Sequence, residues 1–411
     1  MTCEQNTSTA NLPGARASQS AFHFVLTMGL VNLFADVTYE GGAAINGPYL
    51  KTLGARAAAV SIIAGAGEFL GYALRSISGY VSDKTGKYWS ITFAGYVVNL
   101  LAVPAMALAG NWWLAAALVL AERIGRAMRK PTVEAMLSYT TGKLGKGWVY
   151  ALNTALDETG ATLGPLLIAL VLWMHGSFRT GYATLLISTV LALSALTAAR
   201  VVFPLPSRLE EGRTAPAQSF TRAYWLYMLA GSCFAAGLMS FELISYHFAT
   251  TGVVAGRWSP VFLALSTGAG VFASLALGKL YDRKGIIVVL SAVFISSLFA
   301  PLVFYGSFFV VLAGMILWGV GYATQDTLLK ALVSSVLPEG KRNLAFGLFY
   351  VGYGAGWLVG SIVTGLLYEH SHVALIVFSV LVQLVSAPIF LLGDRAGRSV
   401  QRQTARSPRR H

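Results

Sequence analysis

Charged side chains are scarce in this sequence: Asp, Glu, Lys and Arg make up 11% of 411 residues, against about a quarter in soluble domains. With 55% hydrophobic residues and a mean hydropathy of +0.63, that shortage excludes an ordinary water-soluble globule and points to a polytopic membrane protein. Cysteine is rarer still. Cys3 sits in a polar tail and Cys233 in an apolar run, which excludes a disulfide framework and a metal-binding spacing alike. No G-x-x-x-x-G-K-S/T loop occurs, so ATP does not drive the protein through such a site. Clustered histidines, or a nucleophile paired with a base, are missing at membrane mid-depth. That leaves no constellation for an embedded enzyme and implies no cofactor. Acidic residues number 17 against 30 basic ones, a net charge of +13. The basic residues gather on no soluble module interleaved with aromatics, so nucleic acid is not the expected partner.

Long apolar runs are what the chain has in abundance. A helix crossing the ~30 Å hydrocarbon core needs about twenty mostly apolar residues. Such runs recur at 21–44, 56–81, 88–109, 112–136, 148–174 and 179–202, then at 223–248, 260–281, 286–305, 308–332, 344–368 and 371–393. The polar first twenty residues hold Arg16 and pass into the first run with no small-residue cleavage site, so that run is expected to persist as a spanning helix. Twelve spans put both termini on one side. One set of loops and tails holds Arg16, Lys84, Lys87, Lys143, Lys146, Arg200, Arg208, Arg213, Arg222, Arg283, Lys284, Lys341 and Arg342, and the arginines after Asp394; the opposite set holds only Lys51, Arg56, Arg179 and Arg257. Basic residues accumulate on the cytoplasmic side, so both termini are expected in the cytoplasm and the protein in the cell's inner membrane. The expected organisation is a cytoplasmic tail (1–20), a six-helix bundle (21–202), a central cytoplasmic loop (203–222), a second six-helix bundle (223–393) and a basic tail (394–411), the last either resting on anionic headgroups or solvated.

The two bundles echo each other. After the second run the sequence reads GYVSDKTGK, and after the eighth GKLYDRKGI, so that Gly79, Asp83 and Gly86 map onto Gly278, Asp282 and Gly285 with one offset of 199 residues. Gly160 and Gly164 likewise map onto Gly356 and Gly360 with an offset of 196. Duplicated units of this kind place a solute site at their interface. GYVSDKTGK resembles the loop between spans 2 and 3 of the major facilitator superfamily, roughly G-x-L-A-D-R-x-G-R-K, with Val81, Ser82, Lys84, Lys87 and Tyr88 as departures. The resemblance implies an all-α fold of twelve transmembrane helices in two pseudo-symmetric bundles, working as a monomer. It also implies that Gly79, Asp83 and Gly86, with Gly278, Asp282 and Gly285 as their echo, form a latch that holds the cytoplasmic side closed when the cavity opens outward. Independently of the resemblance, Gly79 permits close helix approach and Gly86 a turn that other residues make only at a cost.

The fourth run carries the unusual charges: Glu122, Arg123, Arg126, Arg129 and Lys130. Counted from Trp112, Arg123 lies about 16 Å deep, near the midplane, where an unpaired charge costs at least about 3 kcal/mol. Arg129 and Lys130 are expected to snorkel out at the cytoplasmic end. Glu122 and Arg126 stand at i, i+4, which leaves Arg123 to find Asp157 or Glu158 of the fifth run at matching depth. Asp36, Glu40, Glu68, Glu242 and Asp326 are the other intramembrane acids. Asp326 has Lys330 one turn on, and Glu68 shares a stripe with Arg75. Asp36, Glu40, Asp157 and Glu242 lack a cation one turn away and are the better proton-site candidates. LVLAERIG resembles the family's span 4 arginine motif, which implies a role for Arg123 in proton coupling; a structural interhelical salt bridge is the other reading.

GATLGP, Gly160 to Pro165, resembles the G-x-x-x-G-P core of the family's antiporters, with Ile168 and Ala169 where two further glycines stand in that pattern. Read from the residues alone, it is a helix-packing glycine pair followed by a bend. Tyr350, Tyr353 and Trp357 form an i, i+3, i+7 stripe that either stacks a solute or packs. Asn32, Asn153 and Gln325 are polar points for orienting a solute. His247, His370, His372 and Glu369 lie near the outer ends of their runs without metal-ligand spacing. The expected protein is a secondary transporter, with a small organic molecule, protons and the lipid bilayer as its partners. It moves the solute by alternating access through a cavity lined by spans 1, 4, 5, 7, 10 and 11. Proton-coupled efflux is the leading reading, and proton-coupled uptake of a metabolite such as an organic acid or sugar the alternative.

Overall fold

In a bilayer every backbone N–H and C=O must find its partner within the protein, and an apolar segment does so most simply as a helix. The computed structural model follows that rule throughout. It describes residues 13–138, 146–204, 220–329, 332–333, 336 and 342–406, and no strand occurs among them. The side chains of Asp83, Asp282 and Asp326 lie outside the described residues. The first half consists of α1 (Pro13–Thr52), α2 (Ala57–Thr85), α3 (Tyr88–Ala105), α4 (Trp112–Ser138), α5 (Lys146–Trp173) and α6 (Phe178–Val202). The second consists of α7 (Arg222–Gly237), α8 (Phe241–Thr251), α9 (Ser259–Lys284), α10 (Ile286–Ser297), α11 (Phe299–Tyr305), α12 (Phe308–Ala323), α13 (Arg342–His370) and α14 (His372–Arg406).

Each expected span meets a helix or a pair of helices. Among the described residues, ten segments are long and apolar enough to cross a membrane. The remaining two are α4, whose charges dilute its hydropathy, and α12, whose regular part ends at Ala323 and continues as a π-helical turn, Thr324–Leu329. Two spans are broken. The run 223–248 divides between α7 and α8 at Leu238–Ser240, and 286–305 divides between α10 and α11 at Leu298.

Glycine turns end α2 and α9 at equivalent places. Gly86 (φ 65°) and Gly285 (φ 62°) both take a positive φ that only glycine adopts without penalty. The duplicated glycines of α5 and α13 repeat one contact. Gly160 and Gly164 rest on the carbonyls of Leu33 and Val37 in α1, and Gly356 and Gly360 rest on those of Ser232 and Ala236 in α7. The contacted residues are themselves 199 apart, the offset of the paired loop motifs. Pro165 follows inside α5 without interrupting it.

The first half has two separate apolar cores. One gathers around Phe24, Trp89 and Tyr96, and the other around Ile45, Tyr49 and Tyr182. A polar layer lies between them. Outward-facing side chains such as Leu170, Ile187, Phe272, Phe294 and Phe309 are more than half exposed, as lipid contact requires.

The two halves meet tightly at the face opposite the one where α1 begins. Here Lys51 Nζ, at the end of α1, donates to the Ala249 carbonyl of α8 at 2.6 Å. The backbone N–H of Ala58, in the first turn of α2, donates to Glu369 Oε1 of α13 at 3.1 Å. Each half thus supplies a charge that caps a helix end of the other, cation on C-terminus and anion on N-terminus, as the helix dipole favours. Ser61 Oγ donates to the Ser361 carbonyl at 2.6 Å, and the Trp173 and Trp258 rings meet edge to face at 5.3 Å. His247 and His372 lie 5.4 Å apart between ring centroids, and His247 Nδ1 is 3.1 Å from the Tyr368 hydroxyl. His370 turns instead to its own helix carbonyl at Leu366, 2.8 Å away, and Glu369 is engaged with α2.

Adding a methyl group to a helical glycine ordinarily stabilises by up to about 1 kcal/mol. At Gly164 the new carbon would meet the Gly41 amide nitrogen at 2.8 Å, and at Gly360 it would meet the Ala236 backbone, whereas at Gly71 nothing lies within 4 Å. Gly164→Ala and Gly360→Ala should therefore lose about 1–3 kcal/mol to overpacking and lower the thermal unfolding midpoint of the purified protein. Gly71→Ala should not; equal behaviour of all three would contradict the close backbone contacts.

Candidate functional site

Between the halves lies a cavity of about 560 Å³. It is lined from α1 (Asn32, Asp36, Tyr39, Glu40), α2 (Glu68, Tyr72, Arg75), α4 (Arg123, Arg126, Arg129, Lys130, Glu134) and α5 (Asn153, Asp157, Glu158). The second half contributes Ser240, Phe241 and Glu242 at the α7–α8 break, Ser266 and Thr267 of α9, Trp318 and Tyr322 of α12, Gln325, and Tyr350 and Trp357 of α13. All six expected spans take part, and α2 and α9 join them.

Arg123 sits at the centre and is 4% exposed. It has room because α2 carries glycine opposite: a carbon on Gly67 would lie 2.8 Å from Arg123 Cγ. Its partners are Glu68 at 2.8 Å, Glu242 at 3.2 Å and Glu122 at 3.4 Å, and it donates to the Tyr39 hydroxyl. This corrects the expected pairing with Asp157 or Glu158. Asp157 takes Lys130 at 3.5 Å, and Arg129 takes Asp36 at 3.4 Å, so Arg129 and Lys130 do not snorkel outward. Chain direction is the reason. Helical side chains lean toward their helix's N-terminus, and α4 runs from the far face, so its long cations lean back into the cavity. Arg129 is 3% exposed, donates to Asn99 Oδ1 at 3.0 Å and Asn32 Oδ1 at 3.4 Å, and lies over the Tyr96 ring at 4.6 Å.

Glu122 and Arg126 do not form the expected i, i+4 pair. Glu122 turns away from the cavity and accepts from Asn99 Nδ2 at 2.7 Å, made reachable by the glycine contact of Gly95 with Gly125 between α3 and α4. Arg126 lies instead across the Tyr39 ring, 3.9 Å from its centroid. Asn32 and Asn153 bond each other at 2.9 Å. Asn32 Oδ1 also accepts from Tyr96, and Asn153 Nδ2 donates to Asp157 Oδ2 at 3.5 Å. These two amides thus stitch α1, α3 and α5 into the polar layer. Asp36 and Asp157 are held by cations of α4, and Glu40 and Glu158 face the cavity.

Glu242 stands in the first turn of α8, where a carboxylate is favourable, and it is the second half's carboxylate on Arg123. Gln325 Nε2 donates to the Tyr72 hydroxyl at 2.8 Å. Tyr350 stacks on Tyr72 at 5.4 Å with 4° between the planes, and Tyr353 meets the same ring edge-on at 5.6 Å. The aromatic stripe therefore divides: Tyr350 and Trp357 line the cavity, while Tyr353, 1% exposed, packs behind them. Glu68 and Arg75 mark what spacing missed. Seven residues are two turns, about 10 Å, too far for mutual neutralisation. Glu68 reaches across to Arg123, and Arg75 lies on the Tyr72 ring at 4.9 Å.

The family assignment follows from comparison with known proteins. Residues 26–339 and 284–410 match the model of the Major Facilitator Superfamily, and the chain belongs to that family. It is 33% identical over 387 residues to an uncharacterized protein of Mycobacterium tuberculosis, covering 92% of this chain and 94% of the relative. To an uncharacterized MFS-type transporter of Methanocaldococcus jannaschii it is 24% identical over 381 residues, covering 89% and 94%. A crystal structure of the nucleoside transporter NupG superposes with a TM-score of 0.71 at 13% identity, covering 92% of this chain and 99% of that one; at that identity the likeness concerns the fold. The protein is a membrane transporter rather than an enzyme.

Removing one partner from a buried ion-pair cluster leaves the others uncompensated. Arg123→Gln should destabilise by about 3–5 kcal/mol. In a double-mutant cycle with Glu242→Gln, the coupling should exceed about 1 kcal/mol, read from thermal unfolding. Additive effects would show that the contact between the halves carries no energy.

Proposed function

We propose that the protein is a proton-coupled secondary carrier of a small polar organic solute, working by alternating access, with both termini cytoplasmic. One observation carries the reading: Arg123 of the first half and Glu242 of the second pair at 3.2 Å inside the cavity, so the halves are joined at mid-depth by a bond that a proton on Glu242 would weaken. Solute and proton then act on one joint. The seam of Lys51 and Glu369 closes the far face, while exposed Glu134 and Leu275 line the cavity's opposite reach, which supports a conformation open toward the terminal face. The described loops at that face carry Lys84, Lys87, Arg283 and Lys284, supporting its assignment to the cytoplasm. The acids that suit proton exchange are Glu242, Asp157, Asp36 and Glu40, and Gly79, Gly86, Gly278 and Gly285 suit the closing of the cytoplasmic side. Export by proton exchange is the favoured direction, supported by the resemblance of Gly160, Gly164 and Pro165 to the antiporter pattern. The carrier works as a monomer in the inner membrane, since both walls of the cavity come from one chain.

Ala43 lines the cavity and is 8% exposed. With Cys3→Ser and Cys233→Ser as background, Ala43→Cys should react with a membrane-impermeant maleimide from the cytoplasmic face in the wild-type context. Lys51→Met combined with Glu369→Gln should shift labelling toward the outer face, and Glu242→Gln should shift it further by releasing Arg123. A cysteine that never reacts from the outer face under any of these conditions would defeat alternating access.

A further inference from the structure

The two walls of the cavity differ in chemistry. On the first half, three of the cations lining the cavity are matched with carboxylates: Arg123 with Glu68 and Glu242, Arg129 with Asp36, Lys130 with Asp157. Arg126 and Arg75 take part in none of these pairs; Arg75 lies on the Tyr72 ring toward the terminal face. The Arg126 guanidinium lies over the Tyr39 ring, and its buried Nε makes no hydrogen bond among the described residues. Glu40, one turn beyond Asp36 on α1, also lines the cavity and takes part in none of these ion pairs. Arg126 and Glu40 are therefore a cation and an anion of this wall outside those ion pairs, near enough for their charges to attract each other.

The second half presents rings. Trp318 and Tyr322 lie 4.3 Å apart between centroids, and Tyr322 meets Trp357 edge-on at 5.7 Å. Three buried polar atoms in this wall have nothing to bond among the described residues: Ser240 Oγ, the Trp357 indole N–H and the Gln325 amide oxygen. Trp357, 2% exposed, keeps its indole N–H unpaired, and Gln325, 9% exposed, keeps its amide oxygen unpaired because its nitrogen is committed to Tyr72. A buried donor and a buried acceptor left unmade are costly. A hydroxyl has the chemistry both need, since it can accept from an indole N–H and donate to an amide oxygen.

We infer that the solute is a small aromatic zwitterion of the amino-acid type, its carboxylate on Arg126, its ammonium on Glu40, its ring among Trp318, Tyr322 and Trp357, and a polar group on the ring's far edge meeting Gln325 and Trp357. A plain anion would leave Glu40 facing like charge, and a plain cation would do the same to Arg126. The ring face of Trp or Tyr stacks a flat solute in preference to a puckered one. The cavity volume of about 560 Å³ falls in the usual range for small-molecule sites. This inference rests on the carrier reading and specifies the substrate class of that same cavity.

A deletion series of probes tests it by calorimetry on the purified full chain. L-Tyrosine should bind. 3-(4-Hydroxyphenyl)propionate, tyramine, L-phenylalanine and L-cyclohexylalanine remove the ammonium, the carboxylate, the hydroxyl, and the hydroxyl together with the flat ring, and each should bind at least about tenfold more weakly, one directed interaction's worth. Glu40→Gln should erase the preference over the propionate, Arg126→Gln the preference over tyramine, and Gln325→Leu the preference over phenylalanine, each leaving the other ratios intact. Equal affinity across the series, no binding of tyrosine, or ratios that survive their matching variants would overturn the inference. The wild-type series decides alone if a variant misfolds. If tyrosine fails to bind while Ala43→Cys still alternates between faces, the substrate class falls and the carrier stands. If tyrosine binds but labelling never alternates, the carrier falls and the site remains.

Discussion

A guanidinium at the middle of a membrane must be surrounded by opposite charge or not exist there, and Arg123 organises the protein on that condition. Three carboxylates and a tyrosine hydroxyl converge on it from α1, α2, α4 and α8. Two of the acids belong to its own half and one to the other, so the demand of a single side chain for neutralisation becomes a bond between two rigid bodies. The price of burying charge couples the bundles inside the cavity, as the Lys51 and Glu369 contacts do at the far face. Apolar packing alone would let them slide with little energetic consequence, because lipid is as good a neighbour as leucine.

The duplication makes the asymmetry of the site legible. At the offset that relates the glycines of α5 to those of α13, the position repeating Arg123 is Gly319, which packs on the Ser266 carbonyl. One half keeps an arginine where the other keeps a backbone contact. The same scaffold therefore supplies a wall of charge on one side and a wall of aromatic rings on the other.

Apolar periodicity and basic loops carried the helices, their order, the repeat and the glycine turns, because these depend on local chemistry and on the membrane. The charged fourth span was visible for the same reason. Partner choice was not, since it depends on tilt and on the direction in which side chains lean. Lys130 and Arg129 point inward because α4 descends from the far face, and Asp157 is taken before Arg123 could reach it. The break between α7 and α8 was also silent in composition: Leu238 and Met239 are apolar and buried, so hydropathy runs through it. Its exposed backbone is satisfied inside the protein, as when the Trp318 indole donates to the Met239 carbonyl at 2.8 Å.

That break has a mechanical meaning. Its counterpart in the first half, 199 residues earlier at Tyr39–Gly41, lies within the unbroken α1, so one half has a stiff rod where the other has two short ones with a joint beside Glu242. The outer segment, α8, is tethered to α1 through Lys51, while the inner segment, α7, is riveted to α13 through Gly356 and Gly360. Three non-helical residues on one side of the molecule thus stand next to the carboxylate that meets Arg123 of the other half.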